Sequence, residues 1–189
     1  FIAGAGVQWL RDRMKFFKKA PETEKIVKSL DNNNDIYLVP AFTGLGAPYW
    51  DANARGVLSG ITRDTSPKEI VRATIEAVAY QTFDLFEAMK HDGLRPKIVK
   101  VDGGMVMNNW FSQFLSDIVN VKVLRPKVQE TTALGAAFMA GLQIGVYKSL
   151  KDISKNWHLD KKFSPKMKNK SRSTLIKGWE KAVKRALIN

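Results

Sequence analysis

The 189-residue chain is 44% hydrophobic and 26% charged, enough apolar material for one sizeable core, and its lack of cysteine excludes disulfides and thiolate metal sites. No apolar run approaches the roughly 20 residues that cross a bilayer, so no integral membrane segment is expected and a cytoplasmic location is. A net charge of +13 raises the question of a nucleic-acid partner, which turns on where that charge lies.

Phe1 and Ile2, followed by small residues and then by Val7, Trp9, Leu10, Met14 and Phe17 at helical spacing, predict a strand end turning into a helix. An opening this abrupt, with no initiator methionine, reads as a fragment of a longer chain. The segment 21–35 is polar and its Asp31-Asn32-Asn33-Asn34-Asp35 cluster marks a loop, while residues 36–39 form a short strand. Residues 40–56, PAFTGLGAPYWDANARG, are too rich in Gly, Pro and aromatics for a regular element and form a long shaped loop of the kind that carries function. Ser66 as N-cap, Pro67 at the first helical position and Glu69 three residues after the cap predict a capping box. The helix it opens should end near Gly93, and Ile70, Ala73, Ala77, Val78, Phe83 and Phe86 require burial on more than one of its sides.

Residues 97–101 read as a strand, 108–119 as a helix, 121–124 as a second strand, and Thr131 or Thr132 opens a small-residue helix through Ala140. This alternation argues for an α/β domain with parallel neighbours. A last helix spans 173–186. The domain organisation expected is a partial domain over 1–147 and a basic helical extension of it over 148–189. That extension holds 13 Lys and Arg against Asp152, Asp160 and Glu180. Most are lysines without interleaved aromatics, which fits a solvated face better than a base-reading surface. A basic nucleic-acid-binding module is thus the rival reading, and no nucleic acid is expected.

The turn at Val101-Asp102-Gly103-Gly104 lies between a strand's carboxyl end and a helix N-terminus, where α/β sheets bind ligands and free N–H groups favour phosphate. A tight turn that requires a positive φ explains the glycines equally well. Gly4-Ala5-Gly6 is not a dinucleotide fingerprint, since Trp9 stands where the third glycine would be, and no phosphate-loop motif occurs. His91 and His158 have no metal-ligand spacing near them and read as solvated. Asp51 and Arg55 are candidates to pair or to contact a substrate, with Tyr49 and Trp50 as packing residues of the loop.

VPAFTGLGAPYWDANARG (39–56) resembles the glycerol kinases, and GVLSGI (56–61) with EIVRATIE (69–76) fits the second signature of the wider FGGY carbohydrate kinases to which they belong. VDGGMVMNNW (101–110), ETTALGAAFMAG (130–141) and GWEKAVKRA (178–186) match as well, so the resemblance covers essentially the whole chain. GLGAPYWD is the discriminating piece, because kinases for xylulose, gluconate and other sugars carry a different loop there.

The resemblance implies an α/β fold of the actin-like ATPase type, built from ribonuclease-H-like domains with the nucleotide between them, of which this chain is part of the second. It implies transfer of the γ-phosphoryl of Mg2+-ATP to glycerol by a homo-oligomer, a dimer or tetramer. Gly4 and Gln8 match AG-x-x-x-Q on the phosphate side of ATP or ADP, and Gly104 and Asn108 match GG-x-x-x-N toward the nucleoside. The family's general base and glycerol contacts have no counterpart in these residues, so no catalytic residue is assigned and the chain alone is expected to be inactive. A different polyol or sugar as substrate is the alternative within the family.

Overall fold

The computed structural model describes residues 2–187. In chain order these form α1 (Gly4–Asp12), α2 (Glu22–Lys28), β1 (Tyr37–Val39), β2 (Val57–Ser59), α3 (Pro67–His91), β3 (Ile98–Lys100), a 3-10 turn (Gly104–Met107), α4 (Asn109–Val119), β4 (Lys122–Pro126), α5 (Thr131–Gln143), α6 (Leu150–Ser154), β5 (Leu159–Phe163) and α7 (Asn169–Ala186). Phe1 of the expected opening strand lies outside the described residues, and Ile2 and Ala3 are not in a strand.

The 25-residue α3 is the axis of the fold, with α1, α2, α4 and β1 all packed on it. Its start is the one the sequence predicts. The Ser66 side chain accepts from Lys68 N–H at 3.2 Å, and Glu69 Oε2 accepts from Ser66 N–H at 2.9 Å. Ser66→Ala should therefore lower stability by about 1 kcal/mol, read as a shift of the urea midpoint. A midpoint equal to the parent's would show that Glu69 holds the turn without the cap.

Every residue from Val71 to Gln81 is buried, so α3 has no solvent face through its middle turns. Such a position needs its polar groups paired. Arg72 Nε meets Glu76 Oε1 at 2.7 Å, Arg72 Nη1 donates to Leu30 O at 2.6 Å, and Tyr80 OH donates to Glu76 Oε2 at 3.0 Å. Tyr80 also stacks on Trp179 of α7 at 5.3 Å between ring centroids, with Phe114 of α4 edge-on to it. Trp179 is fully buried, and Gly178 beside it has no room for a side chain, since a Cβ there would collide with the Tyr37 ring. The lysine-rich helix α7 thus divides by face: Trp179, Ala182, Val183 and Ala186 enter the core while its lysines and Arg185 stay exposed.

A three-stranded sheet has the order β3-β4-β5, parallel between β3 and β4 and antiparallel between β4 and β5, and β1 and β2 form a separate antiparallel pair. β3 lies at an edge, with Ile98 and Lys100 exposed. The segment 148–189, expected to be helical, contains β5 as well as α6 and α7. Its Asp160 pairs with Arg125 of β4 at 2.7 Å. Helix α5 forms where the small residues predict it and runs three residues further, with only Gly141 buried. Among the described residues no helix is long and apolar enough to cross a membrane.

Candidate functional site

Two glycine pairs, nearly a hundred residues apart in sequence, each bring one member to the same cavity and leave the other to the fold. Gly6 is buried against α3, where a Cβ would lie 2.9 Å from the Thr74 methyl, so this glycine lets α1 approach α3. Gly103 takes φ +84° with ψ 173°, a conformation that only glycine adopts without strain. These two are explained by the fold. Gly4 and Gly104 are not: neither has a positive φ, and a Cβ at either would meet nothing within 4 Å. Both line a cavity of about 370 Å3, together with Gln8 and Asn108. The structure therefore brings the four candidate residues to one concave surface.

Val7, Gln8 and Arg11 follow Gly4 at helical spacing and present one face of α1 to the cavity. That spacing was a usable signal for Val7 and Arg11, which sequence reasoning missed. Among the described residues no side chain caps the first turn of α1, whose dipole favours an anion beside Gly4. The far wall comes from Pro21, Thr23 and Glu24 of the α2 region and from Met105 and Met107. No local pattern announced Thr23 or Glu24, because what places them here is contact with α4, 85 residues away.

Asn108 departs from its expected position within a helix: it is the N-cap of α4, and the 3-10 turn separates it from Gly103. Its Oδ1 accepts from Phe111 N–H at 3.0 Å and its Nδ2 donates to Thr23 Oγ1 at 3.4 Å. Beside it, Asn109 N–H donates to Glu24 Oε2 at 3.3 Å. Burial raises the Glu24 carboxyl, but Lys28 at 2.5 Å and the Asn109 N–H outweigh it and hold the group below its ordinary value.

Among the described residues Glu24 is the one carboxylate on this cavity, and both its oxygens are engaged. Among the described residues no group of three His, Asp or Glu side chains could hold a metal ion. His91 and His158 are exposed. A larger open groove, of about 950 Å3, runs between the 31–35 loop, α4 and the start of α7. Its buried polar groups are all committed internally, Arg72 to Glu76 and Leu30 O, and Asp117 to the N–H groups of Lys166 and Met167. The smaller cavity, whose glycines the fold does not require, is the better candidate.

Residues 1–144 match the model of the FGGY family of carbohydrate kinases, C-terminal domain. The chain belongs to this family. Glycerol kinase 1 of Pseudomonas aeruginosa is 55% identical over 185 residues, which cover 98% of this chain and 37% of that protein. The crystal structure of Plasmodium falciparum glycerol kinase with ADP matches with a TM-score of 0.86 at 38% identity, over 98% of this chain and 37% of its own. A ligand-bound xylulose kinase from Lactobacillus acidophilus matches at 25% identity with a TM-score of 0.78, over 96% of this chain and 37% of its own. The chain thus spans a little over a third of the length of these relatives, and its mixed α/β fold is that of FGGY kinases.

In this FGGY domain the shaped loop is tied down by its own backbone and by one core carboxyl. Leu45 and Asp51 exchange both backbone hydrogen bonds, at 2.7 and 2.9 Å. Asp51 and Arg55 do not pair. The Asp51 carboxylate instead accepts from the N–H groups of Asn53 and Ala54, and Arg55 donates to the carbonyls of Ala52, Asn53 and Ala54. Trp50 is no packing residue, at 79% exposed, whereas Tyr49 reaches in and turns its hydroxyl to Asp84 of α3. Asp84 also accepts from Trp179 Nε1 at 2.8 Å, so one carboxyl joins the loop, α3 and α7.

Burial pushes the Asp84 carboxyl from 3.8 up to about 6, against the hydrogen bonds from Trp179 and Tyr49. The folded chain therefore holds this proton more tightly than the unfolded chain. The resulting stability is fully present below about pH 4 and is lost as pH rises through 6, by about 3 kcal/mol. Asp84→Asn keeps an acceptor for Trp179 and should flatten that part of the slope in urea melts taken between pH 4 and pH 7. A slope equal to the parent's would mean Asp84 is ionised in the folded chain throughout.

Proposed function

We propose that this chain supplies the nucleotide-holding part of an ATP-dependent kinase that phosphorylates glycerol. The observation that carries the reading is that Gly4 and Gly104 are glycines for no reason of fold and face one cavity. A glycine there admits a phosphate or a nucleoside against the backbone, where any side chain would occupy the space. In this reading the N–H groups of the first turn of α1 hold phosphate oxygens, Gln8 one turn on steadies them, and Asn108 meets the nucleoside. The relative at 55% identity and the ADP-bound structure support ATP and ADP as the nucleotide and glycerol as the acceptor.

Phosphoryl transfer of this kind rests on positioning and charge stabilisation. Magnesium, when bound, would supply charge neutralisation for the phosphates, with ligands drawn largely from outside these residues. Cytoplasmic location and homo-oligomeric assembly are further parts of the proposal, carried by the family resemblance. The GLGAPYWD loop favours glycerol over xylulose or gluconate, because it is the segment in which the resemblance is specific.

Two measurements test this. Calorimetric titration of residues 1–189 should detect ADP binding, and ADP release by the same polypeptide should not respond to glycerol. Full-length protein should release ADP faster with glycerol than with xylulose or gluconate. Absence of ADP binding in both would overturn the nucleotide reading, and preference for another sugar would overturn the choice of acceptor alone.

A further inference from the structure

The hydrogen bonds around Asn108 run in one direction only. Thr23 Oγ1 donates its proton to Ala20 O at 2.7 Å, so toward Asn108 the hydroxyl can only accept. What meets it from Asn108 is accordingly Nδ2, at 3.4 Å. On the other side Oδ1 faces Phe111 N–H at 3.0 Å, a contact that only an acceptor can make. Thr23 is buried and Asn108 half-buried, and both line the cavity. The amide cannot turn over without breaking the cap of α4 and placing its oxygen against the Thr23 oxygen. Each end keeps one further valence, an N–H on Nδ2 and a lone pair on Oδ1.

We propose that Thr23 is a positioning residue that fixes the amide of Asn108, and that the fixed amide makes this cavity select a 6-aminopurine over a 6-oxopurine nucleotide. The inference rests on the nucleotide reading of the site. An amide with its donor and acceptor both held in place pairs with the amino group and N7 of adenine, which are a donor and an acceptor. Guanine presents O6 and N7, both acceptors, so one of its atoms faces the amide oxygen with no proton between them. An amide free to rotate about its last torsion can avoid that repulsion, and one held by Thr23 cannot. The relay spans three elements, the turn at Ala20, α2 and α4, so the selectivity depends on a residue that need not touch the base.

The test is titration of the full-length protein with ADP and with GDP, in the parent, Thr23→Ser and Thr23→Ala. The parent should prefer ADP, Thr23→Ser should keep the preference because it keeps the relay, and Thr23→Ala should lose about fivefold of it. A residue that only stabilised the fold would weaken both nucleotides alike and leave their ratio unchanged. A Thr23→Ala ratio within twofold of the parent's overturns the proposal, as does a Thr23→Ser ratio as low as that of Thr23→Ala. If Thr23→Ala does not fold, Asn108→Asp serves, since a carboxylate still caps α4 but cannot donate to Thr23; an unchanged ratio there overturns the proposal too. A parent that binds neither nucleotide overturns the nucleotide reading itself, which the ratio measurements do not confuse with failure of the Thr23 relay.

Discussion

Leucine at Gly104 should weaken ADP binding on the order of 100-fold, about 2.7 kcal/mol, and leave the melting temperature of the chain where it was. The backbone at Gly104 does not have a positive φ, and a Cβ there meets nothing within 4 Å, so folding has no stake in the absent side chain. The space that leucine would fill is the cavity itself. Its neighbour should behave in the opposite way. Gly103, at φ +84° and ψ 173°, lies in a region that side chains disfavour by about 1–3 kcal/mol. Gly103→Leu should therefore lower the melting temperature, although nothing crowds a Cβ there either. Calorimetric titration and thermal melts of the two variants, run side by side, read both effects. If Gly104→Leu bound ADP as well as the parent does, the cavity would not be where the nucleotide sits.

Removal of the Glu76 carboxylate should destabilise the chain by about 3–5 kcal/mol, a large share of the total stability of a domain. Glu76 is fully buried and bridges Arg72, at 2.7 Å, and Tyr80, at 3.0 Å. Burial pushes its carboxyl up, while the guanidinium of Arg72 pulls it down, and neither group has solvent to turn to when the other is lost. Glu76→Ala leaves a buried cation facing an apolar hole and also strips Tyr80 of its acceptor. The double variant Arg72→Met with Glu76→Leu fills the same space with apolar groups, and should recover most of the loss. Urea unfolding of the parent, the single and the double variants gives the comparison. A single variant within 1 kcal/mol of the parent would mean that water reaches Arg72.

The sequence carried the elements whose signals are local. Ser66, Pro67 and Glu69 mark the start of α3 to the residue, and Val121 to Leu124 falls within β4 but for its first residue. The elements that escaped are short and held by distant partners. β5, Leu-Asp-Lys-Lys-Phe, has too much charge to read as a strand, and becomes one by pairing with β4 at the sheet's edge. α2 has only Ile26 and Val27 as neighbouring apolar residues in a polar run, and owes its place to α3 and α4. The site shows the same division. Spacing after glycine identified four positions that share a cavity, yet nothing in the letters separates Gly103 from Gly104, since one is set by a backbone angle and the other by empty space. Nor does an asparagine one turn after a glycine reveal that its amide is already bound at both ends.

Burial of Trp179 between elements that precede it by 65 residues or more has a temporal side. A ribosome adding about 5–20 residues per second finishes Phe114, the last wall of the aromatic slot formed with Tyr37 and Tyr80, roughly 65 residues before Trp179, so the slot waits unfilled for about 3–13 s. During that interval the nascent polypeptide shows a greasy, ring-lined opening to every chaperone and every other unfinished chain nearby. The lysines of α7 then arrive on the same helix as the plug, and close the opening with a face that repels its own kind.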